Sequence, residues 1–492
     1  MTTPTMNDQN TSYDVVIVGA GISGINAAYR IQTELPNATY IILEARSVIG
    51  GTWDQFRYPG IRSDSDMHVF GFEWNPYHGK ETIADGADIL NYIRDSAALN
   101  GIDQKVQFGQ KLVEANWSSE AQSWNLLVQS REGRRSLNGK FMLLGTGYYD
   151  YDEAAPSFIP GINDFQGTVI HPQFWPQDLD YSGKKIVVVG SGATAVTLIP
   201  SLLKEGASHV TMLQRSPSYV LSQVSNSPST GWLSKLIPKR WTFAITRYLM
   251  IVLPTIFLRF CERFPTTARK WLMKATAAQL PPNIPWDPHF VPLYNPWEQR
   301  LCVSRNGDFY AALKTGKASI VTGKVKTVTK YGIEVIPKGG DVPENIETDI
   351  LVTATGLKIK IAGGAHASID GEPVSIPSLY LWKGVMLQDL PNFGYVIGYA
   401  AASWTLGADA SAVHICLILK HMKKNGFTSV VPKMEEEGMG DLPVMNLSST
   451  YMQKGKCHMP RCGDKAPWRP RDNYLVDVWE AQWGGFEGLD FM

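Results

Sequence analysis

Residues 13–24 read Tyr13-Asp-Val-Val-Ile-Val-Gly19-Ala-Gly21-Ile-Ser23-Gly24, a β-branched run that enters a turn holding three glycines. A helical pattern continues to Ile31, a second apolar run covers residues 40–43, and Glu44 closes it, twenty residues beyond the last glycine. Strand, glycine turn, helix, strand and acid in that order form the βαβ dinucleotide fingerprint. Gly19, Gly21 and Gly24 permit a tight turn and a close backbone approach, so that a diphosphate can sit at the helix N-terminus. Glu44 stands where ribose hydroxyls donate. A glycine turn in an unrelated α/β fold would lack the strand before it and the acid after it.

Working outward, the same grammar returns once. Residues 185–189 are again β-branched and enter Gly190-Ser191-Gly192-Ala193-Thr194-Ala195-Val196, followed by a helical pattern and a strand over 209–213. Where the first unit has Glu44, the second has Gln214-Arg215. A carboxylate repels an anion and a guanidinium pairs with it, so Arg215 points to a nucleotide carrying a 2′-phosphate. This predicts FAD in the first unit and NADP(H) in the second, although Arg215 also suits a solvated strand end. The fold class is α/β, with two Rossmann-like dinucleotide-binding domains, the second inserted in the first, and a helical subdomain. Residues 1–150 and 380–492 are assigned to the first, 151–225 and 306–379 to the second, and 226–305 to the helical insertion.

Between the glycine units the chain is irregular. Gly50-Gly-Thr52-Trp53-Asp54-Gln55 and Arg57-Tyr-Pro-Gly60-Ile-Arg62-Ser63-Asp64 are rich in turn residues. Loops beside a dinucleotide fold often carry function, though this one also reads as a connector. Gly145-Thr-Gly147 marks a first crossing between domains. Residues 241–260 are strongly apolar, but Arg247 and Pro254 interrupt them, which argues against a membrane-spanning helix. Lys235, Lys239, Arg240, Arg263, Arg269, Lys270 and Lys274 flank this run. The pattern fits a basic amphipathic insertion lying on a membrane surface, or a helical subdomain packed over an active site.

Composition narrows the function classes. Lys plus Arg equal Asp plus Glu at 46 each, so no global charge steers the chain toward nucleic acid. Small molecules are the expected partners. The five cysteines are scattered and odd in number, and Cys457 and Cys462 lack the companions of a zinc set, which favours a reduced compartment and no metal. The first twelve residues are polar with no basic patch leading into an apolar run; a cytoplasmic enzyme is expected.

One further stretch, residues 165–176, reads Phe165-Gln-Gly167-Thr-Val-Ile-His171-Pro-Gln-Phe-Trp175-Pro176. Alone it would suit an ordinary linker. Between two nucleotide units, its F-x-G-x-x-x-H-x-x-x-W-P pattern resembles the fingerprint of the type I Baeyer-Villiger monooxygenases. The resemblance extends over nearly the whole chain and is strongest to the ethionamide-activating branch, through GGTWD, FRYPGIRSDSDM, GSGATAVTLIP, MLQRSPSY, YNPWEQRLC, TATGL and ASWTL. It implies FAD as prosthetic group, NADPH as donor, and O2-dependent conversion of ketones to esters or lactones through a C4a-peroxyflavin, with oxidation of sulfides or thioamides alongside.

By matching positions, the resemblance implies that Ser23, Glu44, Thr52, Trp53, Asp54, Gln55, Asp64 and Leu112 line FAD. Arg62, Ser63, the residues from Gly190 to Val196, Gln214 and Arg215 would meet NADP, and Trp404 would be a late aromatic contact with the nicotinamide nucleotide. Arg300 matches the family's active-site arginine and Asp64 its orienting partner. His171 would tie the interdomain linker to backbone and couple hydride delivery to oxygenation. Other branches carry Lys before the arginine; Gln299 stands here, so phosphate discrimination rests more heavily on Arg215.

Two other readings remain open. A heteroatom-oxidising flavin monooxygenase shares the two nucleotide units, but Trp175-Pro176 argues against it. A non-oxygenating sensor that binds both nucleotides would not need Arg300. A flavin disulfide reductase is excluded because no cysteine precedes Cys261.

Overall fold

The computed structural model describes residues 12–225, 238–435 and 438–492. Among the described residues the fold is built on two large sheets. In the first, the strand Ser12–Val18 lies between two parallel partners, Tyr40–Glu44 and Gly133–Leu144. The latter ends a meander of Lys111–Ser118 and Ser123–Ser130, pinned by the buried cross-strand pair Trp117 and Trp124. Phe393–Tyr395, from the far end of the chain, adds in parallel to Gly133–Leu144.

The second sheet orders Ala318–Thr329, His209–Gln214, Lys185–Val189, Ile350–Thr353 and Thr168–Ile170 in parallel, with two antiparallel strands at one edge. Residues 168–353 therefore form a sheet between two contributions to the first, which is the nesting that the sequence predicts. The return comes earlier than residue 380. His366–Ile369 pairs with Lys111–Ser118, and Glu372–Val374 extends it, so both belong to the first sheet.

The outgoing and returning connections hold each other. Tyr149–Ala154 pairs antiparallel with Leu357–Ile359. Asp150 is fully buried and takes Lys358 at 3.1 Å and Lys360 at 2.8 Å. Burial alone would raise its pKa, but Lys360, the Asp152 N–H and Lys358 hold the carboxyl below the usual range. The crossing is thus a two-strand strut.

The helix Ile22–Glu34 is secured by the long helix Trp404–Asn425: Asp409 accepts from Asn26 at 2.9 Å and from Arg30 twice at 2.8 Å. Such bidentate pairing sets orientation as well as energy. The insertion stands on the parallel pair Val220–Gln223 and Cys302–Arg305, with the helices Lys239–Arg263 and Pro265–Ala277 between. Pro254, which interrupts the apolar run in sequence, does not end the first of these helices, and Thr255 Oγ1 donates to the Ile251 carbonyl at 2.7 Å there. Residues 226–237, with the basic flank residue Lys235, lie outside the described residues.

Candidate active site between the two glycine turns

A cleft of about 450 Å³ opens at the C-terminal ends of the first sheet's parallel strands, where open α/β sheets bind ligands. The turn Gly19–Gly21 forms its floor. Gly19 has φ +102°, and a Cβ there would lie 2.8 Å from the Gly145 carbonyl oxygen, so only glycine fits. The helix Ile22–Glu34 has no side-chain cap and no acid in its first turn, which leaves its N–H groups facing the cleft. Glu44 also lines it, although its two oxygens accept the N–H groups of Ala20 at 2.7 Å and Arg46 at 2.8 Å.

Of the residues matched to FAD, Ser23, Thr52, Trp53, Asp64 and Leu112 line the cleft with Glu44. Asp54 and Gln55 do not. Asp54 is buried beneath the loop and binds Arg46, Arg57 at 2.9 Å and Arg94 at 3.3 Å, so its charge holds the loop together. Gln55 donates to the Tyr151 carbonyl at 3.4 Å. Trp404 lies in this first cleft, where its indole N–H donates to Ser23 Oγ at 2.9 Å and its ring stacks on Tyr148.

The loop that follows bridges the two units. Gly60 has φ +79° and packs so closely on the second glycine unit's helix that a Cβ would lie 2.7 Å from the Thr197 carbonyl oxygen. Arg62 is buried, ion-paired with Asp308 and bonded to the Val303 carbonyl at 3.2 Å. Ser63 Oγ is spent on the Ser65 carbonyl at 2.6 Å. Both border the first cleft, and Arg62 acts as a clamp between the loop and the base of the insertion.

Arg300 enters the same cleft from the insertion, two residues before Cys302–Arg305. Among the described residues its one hydrogen bond runs from Nη2 to the Tyr399 carbonyl at 3.3 Å, leaving its other donors free. Asp64 and Arg300 open onto the cleft but are otherwise ringed by protein. This enclosure raises the Asp64 pKa, against the pull of Arg300 and Arg62. Enclosure likewise opposes the charge of Arg300, but Tyr148, Tyr149, Tyr451 and Asp64 outweigh it and push its pKa up.

Those tyrosines are the residues that sequence reasoning missed. Tyr148 and Tyr149 follow the Gly145-Thr-Gly147 turn, line the cleft, and share a 2.8 Å hydroxyl contact. Burial first, then the neighbouring phenols, raise the Tyr149 pKa well above the ordinary phenol value, so it stays a neutral donor. The signal available was the Tyr-Tyr pair directly after a strand–glycine turn.

At the second turn, Gly190 has φ +145° and a Cβ would meet the Ala354 carbonyl oxygen at 2.3 Å. The helix Ala193–Lys204 begins at Gly192 without a side-chain cap. Ser191 Oγ donates to the Ser216 carbonyl at 2.7 Å, tying the turn to the segment after Arg215. Arg215 is exposed and donates to Thr450 Oγ1 at 3.3 Å. Ala195 and Val196 are wholly buried in the core behind the turn, so their side chains cannot meet a ligand. Gln214 is also buried, its amide donating to the His289 carbonyl at 2.7 Å and Thr322 Oγ1 at 2.9 Å.

His171 lies outside the cleft. Its Nδ1 accepts the Gln173 N–H at 3.3 Å, which requires the proton on Nε2, 3.3 Å from the Gly356 carbonyl. Burial lowers its pKa, partly offset by that carbonyl. Gly356 has φ +105°, and a Cβ on it would lie 3.0 Å from Tyr451 Cβ, so the histidine ties the returning connection where it meets the tyrosine group around Arg300.

A family model described as flavin-binding monooxygenase-like matches residues 12–263. The chain is 42% identical over 480 residues to the FAD-containing monooxygenase EthA of Mycobacterium tuberculosis, covering 97% of each. It is 42% identical over 467 residues to the probable FAD-binding monooxygenase AlmA of an Acinetobacter species, covering 94% of this chain and 93% of that one. The solved structure of an oxidized steroid monooxygenase bound to NADP superposes with a TM-score of 0.75 at 18% identity, over 98% of this chain and all of the other, a likeness of fold.

Proposed function

The chain belongs to the flavin-binding monooxygenase-like family, and from that premise we propose that it is an FAD- and NADPH-dependent monooxygenase that inserts one oxygen atom of O2 beside a ketone carbonyl. The product is an ester or lactone, the second oxygen leaves as water, and NADPH supplies the two electrons. Sulfides and thioamides are oxidised in the same cleft. The observation that carries this reading is Arg300, brought by the insertion into the cleft above the first glycine turn together with Asp64.

The first cleft suits a flavin dinucleotide. The uncapped helix and the Gly19–Gly21 turn would offer N–H groups to a diphosphate, and Glu44, which lines the cleft, would accept from ribose hydroxyls. The second turn has the same uncapped helix, with Arg215 beside it for a 2′-phosphate. In this assignment the described residues of 12–150 and 380–492 with the returning strands form the FAD domain, and 151–225 with 306–365 the NADP domain.

Bound and reduced, flavin supplies activated oxygen. The protein's part is to hold a carbonyl substrate beside it, exclude water, and stabilise the negative charge that develops on the carbonyl oxygen. Arg300 does the last with donors that already open into the cleft. Asp64 orients the guanidinium, and Tyr149, kept neutral by its burial, supplies a hydrogen-bond donor.

The decisive assay follows oxygen uptake, NADPH oxidation and products with an aliphatic ketone and a thioether. Ester or lactone supports the proposal. Sulfoxide without ester moves the enzyme to heteroatom oxidation, and a protein that binds both nucleotides yet consumes no oxygen sinks the monooxygenase reading.

Two further outcomes are expected. Arg215→Ala should raise the KM for NADPH by about 10- to 100-fold and leave that for NADH little changed, because a charge-assisted bond is worth ~1.5–3 kcal/mol. An unchanged NADPH-to-NADH ratio would place the 2′-phosphate elsewhere. His171→Ala should leave flavin bound but raise hydrogen peroxide released per NADPH, since it removes the tie to Gly356. The depressed pKa of His171 means that the neutral ring's contribution is full above its ordinary value, about 6.5, and is lost as pH falls through the folded value. Coupling in the wild type should therefore weaken on the acid side, and the variant's coupling should not follow pH there.

A further inference from the structure

A surface helix ordinarily turns its apolar stripe to the core and its polar face to water. Lys239–Arg263 buries an arginine and leaves most of its large apolar side chains facing outward. Toward the protein it presents Arg247, only 6% exposed, whose Nη1 donates to the carbonyls of His68 at 2.5 Å and Gly71 at 3.2 Å. Outward it presents Trp241, Ile245, Tyr248, Leu249, Leu253, Ile256 and Phe260, each between 38% and 59% exposed. Steps of three and four residues place these on one face. Trp271 on the next helix and Trp479 and Trp483 on Tyr474–Trp483 are also exposed, and Arg259 links the last helix's approach through Asp472 at 3.2 Å. Residues 239–277 contain eight Lys or Arg and a single acid, Glu262, in a chain whose totals balance at 46 each.

We propose that this face docks on an anionic phospholipid surface, with Lys239–Arg263 lying in the plane of the interface. An apolar stripe with exposed tryptophans and a basic surround is the chemistry that headgroup and acyl boundary recognise together. A second copy is a poorer occupant, because a two-fold contact would bring two basic regions face to face. Spanning is also disfavoured. The helix is long and apolar enough to cross a bilayer, but Arg247, Ile251 and Cys261 are buried against the protein, so lipid cannot surround it. The helix packs beside Met67–Phe70, and Phe70 lines the cleft, so the proposed lipid-facing helix adjoins an element of the cleft wall.

The test is flotation of the purified full-length protein with vesicles of phosphatidylcholine alone or mixed with phosphatidylglycerol. Binding to the anionic vesicles, released by salt, is expected, with little binding to the neutral ones. The Leu253→Glu/Ile256→Glu double variant should lose at least about tenfold in vesicle affinity, ~1.4 kcal/mol, with flavin content and turnover of a water-soluble ketone unchanged. Lys270→Glu/Lys274→Glu should abolish the preference for anionic lipid. Equal binding to neutral vesicles, equal binding by the Leu253/Ile256 variant, or a lipid-free dimer that this variant makes monomeric would overturn the proposal.

Discussion

Arg300→Ala is expected to lower ketone oxygenation by about 10²- to 10³-fold, or ~3–4 kcal/mol, in a protein that stays yellow and still oxidises NADPH. The expectation rests on how little the fold uses this side chain. Among the described residues its one hydrogen bond goes to the Tyr399 carbonyl, and its remaining donors open into the cleft. Removing it takes one long hydrogen bond from the Tyr399 carbonyl and leaves the glycine turn untouched, so the loss should appear as NADPH consumed without ester and as added hydrogen peroxide.

The substrate comparison sharpens this. A ketone gains negative charge on its carbonyl oxygen as the new bond forms, whereas a thioether gains none, so sulfoxidation should fall far less than ester formation. Arg300→Lys restores the charge but not the planar fork, and should recover only part of the ketone activity. Asp64→Asn removes an orienting charge rather than a donor and should cost less than Arg300→Ala. Ester formation within a few-fold of wild type in Arg300→Ala would remove the arginine from the mechanism.

The parts that were readable in sequence are those whose causes are local. A strand, a glycine turn, a helix and an acid at fixed spacing specify the first unit and its repeat, because backbone approach and φ > 0 at Gly19 and Gly190 need glycine whatever surrounds them. The facing of side chains in irregular segments was not readable. Asp54 stands in the same motif as Thr52 and Trp53, yet it turns inward because Arg46, Arg57 and Arg94 converge on it from three elements. Gln214 adjoins Arg215 but belongs to the core, where Thr322, 108 residues away, accepts its amide proton.

The tyrosine group was hidden for a similar reason. Tyr148 and Tyr149 meet Arg300 only once the insertion has folded back, and Tyr451 arrives from near the other end of the chain. The outward apolar face of Lys239–Arg263 was suggested by composition, but which side Arg247 takes is a tertiary fact.

The first glycine unit yields a test that separates ligand from fold. Gly21 has φ −78° and ψ −175°, a conformation open to any residue, and a Cβ there would sit 3.6 Å from Gly51 Cα, in ordinary contact. Gly24 is different: a Cβ would lie 1.8 Å from the Gly19 carbonyl oxygen, an overlap that only a backbone shift can relieve. Overpacking commonly costs ~1–3 kcal/mol, and here the strain falls on the turn itself. Gly24→Ala should therefore lower both thermal stability and flavin content, while Gly21→Ala should leave the flavin-free protein's melting temperature unchanged and weaken flavin binding by at least about tenfold, ~1.4 kcal/mol. The second result isolates the ligand, because the added methyl meets no protein atom closely and can only obstruct what sits against the turn. Flavin absorbance per protein and calorimetry of the flavin-free forms read the two effects apart. Full flavin occupancy in Gly21→Ala would mean that no diphosphate rests on this turn, and the assignment of FAD to the first cleft would have to be abandoned along with the role given to Glu44.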